Sequence, residues 1–237
     1  MSRIFVKGDC HGNFVFLKQW CKVNKTTIND YLVLCGDAGI NFYLNKTDEK
    51  LKKRISECPI TLICIHGNHE ERPKNIESYS FKYSDEFKCN IWIEEKYPNI
   101  IFPQDGVIEL LGHKCLVLGG AYSIDKYYRI YRNLTWFPEE QMADEDKERI
   151  LKILEKENSF EYIFSHTAPL NYERELVDLF LPGINQYEVD KSMEKFLSKV
   201  HDKINFKHWF FGHFHDNFDL TDKVTILYNN IVELKIG

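Results

Sequence analysis

Short apolar runs rich in β-branched and aromatic residues alternate with polar stretches along this chain. They cover 4–6, 31–35, 60–65, 107–111, 115–118, 162–164, 208–211, 224–228 and 231–234. Runs of this length, bounded by glycine, histidine or turn residues, read as buried strands. Between them the period changes. Phe14, Leu17 and Cys21 predict a helix over 11–22. Ile150, Leu151, Ile153 and Leu154 predict another that starts at a capping Asp144. Val189, Met193, Phe196, Val200 and Ile204 predict a third amphipathic helix. The apolar faces of these helices are expected to be core.

Strand–helix alternation over the first 65 residues predicts parallel βαβ units. Hairpin-like strands around 107–118 and 224–234 add antiparallel pairing. The expectation is an α/β fold in which two packed sheets are flanked by helices. Segments 71–105 and 123–145 are less regular and are expected to cover a site. With 237 residues and no repeat or linker, residues 1–237 read as a single domain.

Composition narrows the function. The formal charge is −5, which speaks against long nucleic acid as a partner, because such binding rests largely on phosphate contacts. No apolar run approaches the ~18 residues of a membrane span. A cleaved leader of ~15–30 residues would remove the opening motif, so none is expected. The seven cysteines form no CxxC pair and several fall in strand-like runs. An odd set of buried thiols fits a reducing cytoplasm.

The chemistry lies at the strand ends. Run 4–6 is followed by Gly8-Asp9-Cys10-His11-Gly12, and run 31–35 by Gly36-Asp37-Ala38-Gly39. Run 60–65 leads into His66-Gly67-Asn68-His69-Glu70, run 162–164 into Ser165-His166, and run 208–211 into Gly212-His213-Phe214-His215. In a mainly parallel sheet those ends share one edge, where ligand crevices form. Asp9, His11, Asp37, Asn68, His166, His213 and His215 offer oxygen and nitrogen donors and no thiolate. That set suits manganese, iron or zinc rather than a closed structural zinc site. It is too large for one such ion and fits two divalent ions sharing a carboxylate. A metal pair in a negative protein makes a local positive pocket suited to phosphate, and it lowers the pKa of a bound water.

The ordered motifs GDxHG, GDxG, GNHE, a lone histidine after a strand, and GHxH resemble those of the calcineurin-like metallophosphoesterase superfamily. They span Asp9 to His215, nearly the whole chain. The resemblance implies a four-layer α/β/β/α sandwich. By motif position it implies a first metal held by Asp9, His11, His215 and Asp37, and a second held by Asn68, His166, His213 and the bridging Asp37. His69 would not be a ligand; it would steady the transition state and protonate the leaving oxygen.

The chain departs from the protein Ser/Thr phosphatase branch of that superfamily. His66 and Ile40-Asn41 stand where that branch carries phosphate-clamping arginines, and the aspartate that orients His69 there has no counterpart. Arg129 and Arg132, in the segment GGAYSIDKYYR and just beyond it, are candidate substitute clamps. The same segment looks like one found in a group of small bacterial and phage metallophosphoesterases, and its tyrosines could stack on a base. Arg72 and His66 are further substrate-binding candidates. Lys50-Leu51-Lys52-Lys53-Arg54 reads as a solvated helix face.

These features imply a phosphoesterase that cleaves a phosphate mono- or diester by attack of metal-bound hydroxide. Its partner would be a phosphate-ester substrate, with a nucleotide-sized one favoured by the aromatic-basic 126–132 stretch. The alternatives in the same superfamily are a nucleotide or dinucleotide phosphohydrolase, a protein phosphatase and a nuclease. A catalytically inactive scaffold that uses the site for binding is the alternative outside enzymes.

Overall fold

In strand β1 (Ile4–Lys7), Ile4 and Val6 face one core while Phe5 faces another. The same alternation separates Val33 from Leu32 and Leu34 in β2 (Tyr31–Leu34), and Ile63 from Leu62 and Cys64 in β3 (Thr61–Cys64). It recurs in β8 (His113–Leu118), β9 (Ser159–Ser165) and β10 (Asn205–Phe211). There Val117, Phe164 and Phe210 join the first core, and Leu118, Ile163 and Trp209 enter a third. Strands apolar on both faces must be covered on both. The computed structural model describes residues 2–172, 176 and 188–235, and it shows how this is done.

One sheet has the order β13 (Ile231–Glu233), β1, β2, β3, β6 (Ile100–Pro103), β5 (Cys89–Ile93), β4 (Ser80–Ser84). Its pairs β1–β2, β2–β3 and β3–β6 are parallel and its outer pairs antiparallel. The second has the order β11 (Phe218–Thr221), β12 (Val224–Ile226), β10, β9, β8, β7 (Gly106–Leu110), parallel at its centre and antiparallel at both edges. The two mixed sheets share the first core. Helices α1 (Leu17–Asn24) and α2 (Lys46–Ser56) cover the outer face of the first sheet. Helices α4 (Asp144–Leu154) and α5 (Ser192–His201) cover that of the second, completing four layers. The short α3 (Lys126–Tyr131) buries none of its residues.

Several expectations are corrected. The helix predicted over 11–22 begins only at Leu17, because the N–H groups of His11 and Gly12 donate to the Asp37 and Ala38 carbonyls instead. Segment 224–234 is no hairpin: β12 pairs with β10 and β11, and β13 pairs with β1 in the other sheet. Segment 71–105 holds three strands, of which β4 is nearly all exposed and has no continuous apolar run, its Phe81 and Tyr83 being set among polar residues. The cap of α4 is Ala143, and Asp144 stands in the first turn with two further acids. The third predicted helix starts at Ser192, so Val189 lies outside it. Finally, 50–54 is not wholly solvated. Lys52 is buried against Glu94 at 2.6 Å, while Lys50, Leu51 and Arg54 line a cavity.

Candidate metal centre

Loops 8–12, 36–39 and 66–70 follow β1, β2 and β3, and 166–167 and 212–215 follow β9 and β10. Backbone hydrogen bonds bind them together. Cys10 and His11 donate to the Asp37 carbonyl at 3.0 and 2.8 Å, and Gly212 donates to the His166 carbonyl at 3.0 Å. The turns are tight: His11, Asp37, His213 and His215 have φ of 46°, 45°, 68° and 54°. This region is uncommon for residues with a Cβ, and such strain concentrates at functional sites.

The two aspartates are oriented alike. Oδ1 of Asp9 accepts the His213 N–H at 2.8 Å, and Oδ1 of Asp37 accepts the His69 N–H at 2.8 Å. Each approach needs a glycine. A Cβ on Gly212 would stand 2.2 Å from Asp9 Oδ1, and one on Gly67 would stand 2.0 Å from Asp37 Oδ1. The other oxygens face imidazoles. Asp9 Oδ2 lies 3.2 Å from His215 Nε2 and 3.5 Å from His11 Nε2, and Asp37 Oδ2 lies 3.6 Å from His166 Nε2 and 3.8 Å from His11 Nδ1. Burial opposes ionisation of both carboxyls. For Asp9, hydrogen bonds from His11 and His215 outweigh it; for Asp37, the charge of His166 does so. Both are held well below the usual carboxylate range.

The nitrogens meet acceptors. His166 is fully buried, with Nδ1 2.9 Å from the Cys35 carbonyl and Nε2 2.7 Å from Asn68 Oδ1. If Nδ1–H donates to the carbonyl, the Nε2 lone pair confronts the oxygens of Asn68 and Asp37. His11 Nε2 and His215 Nε2 face each other at 2.9 Å beside Asp9 Oδ2. Crowded acceptors of this kind need an extra proton or a cation. Without a cation the proton answers: burial resists it, yet Asp37 and Asp9 push the His166 pKa up to about 9. A bound cation would displace such protons. Among the described residues, two groups have donor atoms within 4.8 Å of one another, Asp9–His11–His215 and Asp9–Asp37–His166, so Asp9 belongs to both. The donor set therefore fits divalent ions. His213 is in neither group; its ring packs 5.0 Å from that of His166, and burial with that neighbour's charge holds its pKa down at about 3. Cys10 supplies no thiolate, since burial pushes its thiol up to about 12.

His69 is half-buried, and its ring lies 5.7 Å from that of His11. Burial, then the charges of Arg129 and His11, lower its pKa against the pull of Asp37 and Asp125. Three further residues were not singled out from the sequence. Glu70 is fully buried and accepts the N–H groups of Gly39 at 3.1 Å and Gly67 at 3.2 Å, locking two of the loops. Lys7 is buried and donates to the Asp9 carbonyl at 2.8 Å. Asp125 stands with Arg129 on the wall of the cavity beside His69. The acid in GNHE was visible as a motif letter, but nothing in its spacing told that it clamps loops.

A cavity of about 810 Å³ opens beside His11, His69 and His215. Of the candidate clamps, Arg129 lines it, its Nε held at 2.7 Å by Asp125. Arg132 is exposed beyond α3 and is not on its wall. Arg72 pairs with Asp105 at 3.3 Å and donates to the Glu139 carbonyl at 2.9 Å. It shares a separate, smaller cavity with His66, whose burial keeps that ring neutral. Tyr127, Tyr128 and Tyr131 are exposed.

A family model described as calcineurin-like phosphoesterase matches residues 2–217, a span that includes all five loops. No curated protein matches the chain.

Proposed function

The chain belongs to the calcineurin-like phosphoesterase family, and from that premise we propose that it hydrolyses a phosphate mono- or diester at a two-cation site. The observation that carries this reading is the convergence of Asp9 and Asp37 Oδ2 with imidazole nitrogens of His11, His166 and His215. In the proposed assignment, Asp9, His11 and His215 hold one cation with Asp37. Asn68, His166 and His213 hold the other, again with Asp37, which lies between His11 and His166. The oxygen-nitrogen set suits manganese, iron or zinc. When bound, such ions would place positive charge on the phosphoryl oxygens and lower the pKa of a water.

The protein's own groups do the rest. The N–H groups of His69 and His213 keep the carboxylates aimed, so the site is set before substrate enters. His69, held neutral by burial in the free protein, takes up a proton from solvent beside the anionic ester and delivers it to the leaving oxygen. Arg129 stands across the cavity to meet a phosphoryl oxygen. Residues 1–237 act as one domain in this reading, because both sheets supply ligands. All seven cysteines are free and buried, which supports a reducing, cytoplasmic setting. No described helix is long and apolar enough to cross a membrane.

Two variants divide the roles. Asp37→Asn is expected to weaken metal binding by at least the roughly 10–100-fold that loss of an outer-shell partner costs, because Asp37 is assigned as a direct ligand. His69→Ala is expected to keep its metal and to lower turnover of an aryl phosphate by about 10²–10⁴-fold. Equal loss of bound metal in both variants would contradict the assignment.

A further inference from the structure

One wall of the cavity beside His69 is unused by the chemistry above. It is α2, whose Thr47, Lys50, Leu51 and Arg54 recur at helical spacing and line the cavity together with Asp48, while Lys52 and Ile55 are buried on the other side. Lys50 and Arg54 are like charges four residues apart, an arrangement that repels within a helix. Neither side chain makes a hydrogen bond or ion pair with a described residue. Their neighbours differ: Lys52 is paired with Glu94, and Arg129 with Asp125.

The acids on the same lining form no ion pair with them. Asp48 Oδ2 accepts the Tyr43 and Leu44 N–H groups at 2.9 and 2.7 Å, and Asp125 is taken by Arg129. The α2 wall therefore presents two positive side chains with no ion-pair partner among the described residues, next to the candidate metal centre. Phe42 and Tyr43 adjoin it, edge to face at 4.9 Å, and the Tyr43 ring is 59% exposed. A volume near 810 Å³ is that of a small-molecule site.

We propose that this wall is a specificity subsite for a nucleoside polyphosphate. Lys50 and Arg54 hold the phosphate next to the one cleaved, with Arg54 able to engage two oxygens. Tyr43 offers a face on which the base stacks. Only the cleavage step rests on the phosphoesterase reading. For a nucleoside diphosphate, one water is consumed and its oxygen bonds to the terminal phosphorus. The bond from that phosphorus to the bridging oxygen breaks, and its electron pair stays on that oxygen. The products are orthophosphate, a nucleoside monophosphate and one proton released to solvent.

The test titrates the Mn²⁺-loaded full chain with α,β-methylene adenosine diphosphate, whose bridge cannot be hydrolysed, and separately with inorganic tripolyphosphate. Lys50→Gln/Arg54→Gln is expected to weaken both ligands by about ten-fold or more. Tyr43→Ala is expected to weaken the nucleotide analogue alone. In parallel, the ratio of kcat/KM for adenosine diphosphate over 4-nitrophenyl phosphate should fall about ten-fold in the double variant. Unchanged thermal midpoints establish that the variants are folded. Unaltered affinity and an unaltered ratio in the double variant would overturn the subsite. Loss of tripolyphosphate binding with no effect of Tyr43→Ala would overturn its assignment to a nucleoside. Analogue binding that depends on Lys50 and Arg54, without hydrolysis of either adenosine diphosphate or 4-nitrophenyl phosphate, would uphold the subsite while the phosphoesterase reading fails.

Discussion

Oδ1 of Asp9 accepts the backbone N–H of His213 at 2.8 Å, joining residues 204 positions apart. Asp37 accepts the His69 N–H in the same way. Each carboxylate is thus aimed by the loop of another strand, with one oxygen fixed and the other left for imidazoles. The orientation belongs to the backbone, so it precedes any bound ion and depends on how closely the loops pack.

Gly67 tests that dependence. An added Cβ would meet Asp37 Oδ1 at 2.0 Å and Asp37 N at 2.2 Å. Gly67→Ala is expected to cost about 1–3 kcal/mol of stability and to weaken Mn²⁺ binding, because Asp37 must move. Urea denaturation and metal titration of the same variant check both. A variant as stable and as tight-binding as the parent would show that Asp37 has room to spare.

Glu70 makes a second prediction. Glu70→Ala leaves the buried N–H groups of Gly39 and Gly67 without their acceptor. The expected cost is about 1–3 kcal/mol for each orphaned donor. Glu70→Gln keeps one acceptor oxygen and should lose less. Denaturation midpoints ranking Ala and Gln alike would mean that the clamp contributes little.

Much of this architecture was legible in the sequence, for a physical reason. Central strands such as Ile4–Lys7 are buried on both faces and so are mostly apolar, and the polar residues at and just past their ends stand out by contrast. Strand Ser80–Ser84 was not legible because it is exposed and lacks that contrast. The separation of Val224–Ile226 from Ile231–Glu233 into different sheets leaves no local trace. Lys52 could not be told from Lys50 by composition, since the distant Glu94 and Tyr79 draw only one of them inward. The bonds from the Gly39 N–H to Glu70 and from Lys7 to the Tyr228 carbonyl are likewise long-range relationships.

Acid stability should carry the mark of Asp30. Burial favours its neutral form, but the Arg3 side chain and the N–H groups of Thr27 and Arg3 outweigh this and lower its pKa. A lowered carboxyl pKa contributes stability above the unfolded pKa and loses it as pH falls through the folded one. The gap in stability between the parent and Asp30→Asn should therefore be open near neutrality and close progressively below about pH 5. A gap that stays constant from neutral to acid pH would contradict this.

The central claim is tested most directly by metal content and turnover measured together. Metal-stripped protein is reloaded with Mn²⁺, bound metal is counted by mass spectrometry, and the same samples are given an aryl phosphate monoester and a diester. The account predicts about two Mn²⁺ per chain and ester cleavage that requires them. A folded chain that binds no metal would contradict it.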